Sequence, residues 1–341
     1  MTVNLFSDTQ TIPTREMLQA MVEAEVGDEQ RGTDPTVIAL QERVAGLLGH
    51  EAAVFLPSGT MCNAIAVRLH VRPAGDEIIL HEFAHAAESE CGSPAALSGA
   101  SLRRLRTRTG VFTPGELESA IRPPSRYSPR SRLVVVEQTT NLGGGRVWPA
   151  EAIDDVLATA RAHGLRAHLD GARLMNAAVA AALPPARFAA GFDTAWIDFA
   201  KGLGCPVGAV LTGSGELVEE AWRYKQMWGG AMRQAGYLAA ACLYALDHNV
   251  ERLAEDHEHA RLLAEGLAQI PGVDIDPNDV ETNIVLFGVA DAARVAAALA
   301  SRGLELPIVD DRRLRAVTFL GVTRGDIDEA LLLIADAVRA A

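Results

Sequence analysis

Between Ala52 and Leu211 the sequence alternates short, continuous apolar runs with longer stretches of helical, amphipathic spacing. Ala52–Leu56, Glu77–Leu80, Leu133–Val136 and Leu165–Asp170 read as buried strands, and Met61–His70 and Pro149–His163 read as helices. Strands separated by crossover helices pair in parallel, because the chain must return across one face before the next strand begins. The fold class is therefore α/β with a mainly parallel sheet. Sites on such sheets lie beyond the carboxyl ends of the strands. Ser58, Glu137, Asp170 and Lys201 all fall at or just after a strand end.

Lys201 lies between two apolar runs and is followed by glycines at Gly202 and Gly204. Of the 31 lysines and arginines, only Lys201 and Lys225 are lysines. An arginine stays protonated, whereas a desolvated lysine can lose its proton and attack a carbonyl. Lys201 thus reads either as a Schiff-base amine or as a lysine lying over a strand end with its head in water. Pro57-Ser-Gly-Thr60 leads from a strand into a helix. It reads as a phosphate cradle of backbone N–H groups and hydroxyls or as an ordinary N-cap. It is not a nucleotide P-loop, and Gly202-Leu-Gly204 runs into Pro206 and another apolar run, not into a dinucleotide-binding helix. His81 and His85 have the spacing of metal ligands, but nothing near them completes a site, so no metal is expected. His85 is better suited to lie against a flat cofactor. The hydroxyl cluster Ser7-Asp-Thr9 with Thr11 reads as a capping segment, and His257 and His259 are expected to face solvent from an amphipathic helix.

The chain has 341 residues, 49% of them hydrophobic, enough for one large and one smaller domain. The expected division is an N-terminal arm over 1–14, a large domain over 15–247 and a small α+β domain over 248–341. The last should carry strands at Thr282–Phe287 and Arg315–Leu320, a helix at Ala292–Ser301 and a final helix from Gly325. A net charge of −13 argues against nucleic acid or an anionic membrane as partner, so an anionic ligand needs a local cluster of donors. The four cysteines have no paired spacing and suit a reducing cytoplasm. No signal-peptide pattern or bilayer-length apolar run is expected.

Lys201, Asp170 and a phosphate cradle on one rim suggest pyridoxal 5'-phosphate, with an amine for the aldehyde and a carboxylate for the pyridine nitrogen. Seven segments carry a resemblance to a known family. They are Ser7-Asp-Thr9, Gly32-Thr-Asp-Pro-Thr36, Leu56-Pro-Ser-Gly-Thr60, His85 with Glu90, His168-Leu-Asp-Gly-Ala-Arg173, Lys201-Gly-Leu-Gly204 with Pro206-Val-Gly208, and Gly229-Gly-Ala-Met-Arg-Gln234. In this order, spanning nearly the whole chain, the sequence resembles the low-specificity L-threonine aldolases. These belong to the β-eliminating lyase group of the fold-type I (aspartate aminotransferase-like) pyridoxal-phosphate enzymes.

The resemblance implies cleavage of L-threonine, L-allo-threonine and related β-hydroxy-α-amino acids to glycine and an aldehyde. Lys201 would hold the cofactor aldehyde and Asp170 the pyridine nitrogen. Ser58, Gly59 and Thr60 would bind the phosphate, with Arg233 contributing from a neighbouring subunit. His85 would stack on the ring and take part in proton transfer. Ser7, Arg173 and Arg315 would hold the substrate carboxylate. A homotetramer built as a dimer of dimers, with sites shared across a dimer contact, is implied as well. The chain departs from the family where a histidine is common near the substrate hydroxyl: Glu137-Gln-Thr-Thr-Asn141 places Thr140 there. Arg31 likewise replaces a common tyrosine. These departures bear on the β-substituent, so other outcomes on the same scaffold stay open: phenylserine-type cleavage, β-elimination, glycyl transfer, or cofactor binding without catalysis.

Overall fold

The computed structural model describes residues 3–340. Seven strands form the main sheet: β1 (Ala52–Leu56), β2 (Glu77–His81), β3 (Ser101–Leu105), β4 (Ser131–Glu137), β5 (Arg166–Asp170), β6 (Thr194–Asp198) and β7 (Ala209–Gly213). Their order is β1-β7-β6-β5-β4-β2-β3. The pairs from β3 through β6 are parallel, while β7 runs antiparallel to both β6 and β1. The reversal follows from chain length. The Phe199–Gly208 connection is a loop with no crossover helix, so β7 can only fold back. Lys201 sits in that loop.

The inner strands are buried along most of their length, as a sheet covered on both faces requires, whereas edge strand β3 is largely half-buried. Helices Pro35–Leu48, Ala150–Ala162 and Gly236–His248 contribute to the core on one side, around Phe55, Trp148, Phe188 and Phe199. Helix Gly59–His70 packs with Trp196 in a second apolar cluster. Helix Gly215–Met227 is capped by Ser214, which accepts from Leu217 N.

A second, two-stranded antiparallel sheet pairs β8 (Ile284–Gly288) with β9 (Arg313–Val317). Helices Leu253–Leu267, Ala292–Ala300 and Arg324–Ala340 surround it with a core of their own. β9 ends earlier than expected because Thr318 leaves the ladder and donates its hydroxyl to Asp256 O (2.6 Å). Of the expected N-terminal arm, residues 1 and 2 lie outside the described residues. Val3 and Leu5 are buried in this second core, and Val317 N donates to Leu5 O (2.9 Å). The arm thus extends the edge of β9.

Two expectations fail here. His259 is buried and His257 half-buried, the latter against Asn176 (3.2 Å). Helix Leu253–Leu267 packs both on helix Leu174–Ala181 and on helix Arg324–Ala340, which leaves only a narrow wet face. The arginine-rich stretch before Leu133 leads into β4. Ser131 and Arg132 belong to β4, and Arg130 and Arg132 both hold Asp76. Among the described residues no helix is long and apolar enough to cross a membrane.

Gly171, directly after β5, is forced by packing. A Cβ there would lie 1.8 Å from Trp196 O on β6. Gly171→Ala is expected to push β5 and β6 apart at their carboxyl ends and lower stability by about 1–3 kcal/mol, read from urea unfolding.

Candidate active site

The carboxyl ends of the parallel strands open into a cleft of about 570 Å³. Its walls include Ser7, Ser58, Gly59, Thr60, His85, Glu137, Asp170, Arg173, Lys201 and Arg315. Residues from seven separate stretches of sequence therefore meet at the strand ends.

Helix Gly59–His70 points its N-terminus at the cleft. Ser58 is its N-cap, accepting from Met61 N (3.2 Å), while Ser58 and Thr60 remain exposed. Gly59 is buried, and a Cβ there would lie 2.2 Å from the Trp196 indole. That close approach seats the helix start against β6, leaving free N–H groups and two hydroxyls at the rim.

Asp170 ends β5 and is buried. Its described hydrogen bonds come from neutral donors, Asn63 Nδ2 (2.8 Å) and Ala172 N (3.1 Å). Burial pushes its carboxyl above the usual range; the Asn63 hydrogen bond and the His85 charge pull the other way. A buried carboxylate in this state suits a cationic N–H donor in the cleft. Lys201 Nζ instead pairs with Asp198, at the end of β6. Ala200 N also donates to Asp198 (2.8 Å), which fixes the carboxylate beneath the amine.

His85 opens a short helical turn. Its backbone N–H donates to Glu137 Oε2 (2.7 Å), and its Nδ1 donates to Glu90 Oε1 (2.8 Å). The Glu90 bond is the largest influence on the imidazole and raises its pKa above the ordinary 6.5. With Nδ1 committed, Nε2 is the nitrogen available for proton transfer. Burial, reinforced by Asp170, raises Glu137 to about 7, against two backbone donors, Asn141 N and His85 N.

Arg173 and Arg315 form the cationic corner. Arg173 is buried and gives Nε and Nη2 to Asp8, each at 2.7 Å. Burial pushes the Asp8 carboxyl up, but the Arg173 charge and hydrogen bonds bring it below its ordinary value. Arg315 Nη1 donates to Asn141 Oδ1 (2.8 Å), whereas its buried Nε has no partner. An orphaned guanidinium N–H beside a second arginine fits a small carboxylate. Ser7 caps the turn Asp8–Gln10, accepting from Thr9 N (3.2 Å), and also lines the cleft. One side chain thus both caps the turn and faces the cleft.

One expected site residue lies elsewhere. Thr140 does not line the cleft. Its side chain packs beneath the wall against Gly110 and Gly143, where a Cβ would lie 2.8 Å and 2.5 Å away from it, so it cannot stand in for an imidazole over the substrate. Thr139 and Asn141 form the wall instead. Arg233 is exposed, paired with Asp28 (3.3 Å), and outside this chain's own cleft. His81 bonds to Thr107 rather than sharing a ligand position with His85. Sequence reasoning missed Asp8, Asp198 and Asn63 as parts of the site. The signal for Asp198 was its place at the strand end three residues before Lys201.

The donors match pyridoxal phosphate group by group: an amine for the aldehyde, a buried carboxylate for the pyridine nitrogen, and a helix N-terminus with hydroxyls for the phosphate. A model of the beta-eliminating lyase family matches residues 4–292. The low-specificity L-threonine aldolase 1 of Arabidopsis thaliana is 38% identical over 337 residues, covering 96% of this chain and 94% of that one. The low specificity L-threonine aldolase of Escherichia coli K12 is 38% identical over 331 residues, with 96% of each chain covered. The threonine aldolase structure from Leishmania major superposes with a TM-score of 0.83 at 20% identity, covering 99% of both chains, a likeness of fold. The fold is the fold-type I architecture, and the chain belongs to the beta-eliminating lyase family.

Proposed function

We propose that this chain is a pyridoxal-phosphate-dependent aldehyde-lyase that cleaves L-threonine, L-allo-threonine and related β-hydroxy-α-amino acids to glycine and an aldehyde. The observation that carries the reading is the single cleft that brings Lys201, Asp170, His85 and the Arg173–Arg315 pair together. The identity to named threonine aldolases along almost the entire chain supports it.

When bound, the cofactor supplies an aldehyde for an amine and a cationic ring that accepts the electron pair released from Cα. The rest falls to the protein. Lys201 provides the amine, and Asp198 keeps that amine at the strand end. Asp170 holds a proton on the ring nitrogen. Ser58, Gly59 and Thr60 hold the phosphate at the helix N-terminus. Arg315 and Arg173, with Ser7, grip the substrate carboxylate. A carboxylate fixed at two points leaves the Cα–Cβ bond in one orientation, which selects that bond for cleavage over the others at Cα. His85 Nε2 takes the β-hydroxyl proton, directly or through a water, and Thr140 plays no part. The subunits assemble as a dimer of dimers in which the exposed Arg233 serves a neighbouring cleft. The unpaired cysteines suit the cytoplasm.

The test is a panel of β-hydroxy-α-amino acids, both enantiomers, assayed for aldehyde and for ammonia. Aldehyde with equimolar glycine from L-threonine is expected; ammonia in its place would sink the reading. Borohydride should trap the cofactor on the wild type and not on Lys201→Ala. Arg315→Lys loses the planar fork, so KM for threonine should rise roughly tenfold while the cofactor absorbance is unchanged. The base form of His85 is lost as pH falls through its raised pKa, so kcat/KM should fall on the acid side with a midpoint above 6.5. Glu137, at about 7, titrates in the same range. Glu137→Gln should keep the acid limb and His85→Gln should abolish it.

A further inference from the structure

Asn63 lies one turn into helix Gly59–His70, behind the cleft wall, and is 2% exposed. All four of its hydrogen-bonding positions are used. Nδ2 donates to Glu90 Oε1 (2.7 Å) and to Asp170 Oδ2 (2.8 Å). Oδ1 accepts from Trp196 Nε1 (2.9 Å) and meets His168 Nε2 (3.1 Å).

The orientation of this amide is determined by its neighbours. An indole nitrogen only donates, so the atom it meets is the oxygen. The NH₂ group therefore faces the two carboxylates. His168 must then donate through Nε2, and its Nδ1 accepts from the Thr194 hydroxyl (2.8 Å). Thr194 Oγ1 in turn accepts from His70 Nε2 (3.0 Å). Burial holds both histidines neutral, His168 at about 3 and His70 at about 4, so each carries the one proton this chain requires. The line His70–Thr194–His168, together with the Trp196 indole, forms a scaffold that keeps the Asn63 amide turned one way.

We infer that Asn63 is a positioning residue that keeps Asp170 ionised and, through Glu90, keeps the His85 imidazole in register with it. One amide group links the carboxylate assigned to the ring nitrogen and the carboxylate that orients the proton-transfer imidazole. Aspartates and glutamates buried this close together repel, and two donors from a single rigid amide lower that cost while fixing their separation. The other groups that act on Asp170 are His85 and Lys201, which favour its charge, and Glu90, Glu137 and the buried Cys62 thiol, which oppose it or stay neutral. The inference rests on Asp170 being the partner of the cofactor nitrogen.

The test measures the affinity of the refolded or reconstituted protein for pyridoxal 5'-phosphate by absorbance titration between pH 6 and pH 9, with far-UV circular dichroism as the check on folding. Asn63→Leu keeps the approximate volume and removes both donors. Asn63→Asp keeps the shape and removes at least one donor. In either variant Asp170 should take up a proton at higher pH. The affinity should therefore fall on the acid side with a midpoint about one to two pH units above that of the wild type. A structural role alone would weaken binding equally at every pH. A pH dependence unchanged from the wild type in both variants overturns the inference; if Asn63→Leu does not fold, Asn63→Asp decides alone. Absence of borohydride-trapped cofactor on wild-type Lys201 would instead refute the assignment of the cleft and is read separately.

Discussion

Carboxylates that lie beyond the strand ends have lost most of their water, and each must be answered by donors within the fold. Asp8 is answered by Arg173, Asp198 by Lys201 and a backbone N–H, and Glu137 by two backbone N–H groups. Glu90 takes Asn63, His85 and the Ser93 hydroxyl. Asp170, like Glu137, is held by neutral donors. The arrangement of the cleft follows from this requirement. Arg173 and Lys201 are each placed by a carboxylate and Arg315 by the Asn141 amide, while Asp170 lacks the cationic partner that a protonated ring would supply.

The sheet was legible because fully buried strands announce themselves as continuous apolar runs, and the helices between them imply parallel pairing. The antiparallel β7 was less so, since its direction depends on the missing crossover in Phe199–Gly208 rather than on the run itself. Lys201, Asp170, Ser58 and Glu137 could be found from position alone, because a strand end is a place in space as well as in sequence. Asn63 could not. Nothing at its position in a helix distinguishes it from a surface amide, and its partners come from β5, β6 and the turn after His85. Asp8 was hidden for a similar reason: a capping turn explained it sufficiently.

The two lysines show where composition stops being informative. Scarcity marked both equally. Lys225 proves to be buried against Glu29 and beside the Trp222 ring (4.4 Å), and it does not line the cleft. Glu29 also accepts from Met232 N (2.8 Å), so the pair fastens the glycine loop that precedes Arg233. Thr140 carries the converse lesson. A substitution noticed in the sequence marks a difference, but its side chain sits under Gly110 and Gly143 and never reaches the cleft.

The arm joins two parts of the molecule at one carboxylate. Val3 and Leu5 complete a core otherwise built from the last third of the chain, and Asp8, just beyond them, is tied to Arg173 and to Asn283 (3.1 Å). The Arg173 guanidinium therefore leans on a residue whose seat is set partly by the second core, and loosening of that core would be felt at the cleft wall.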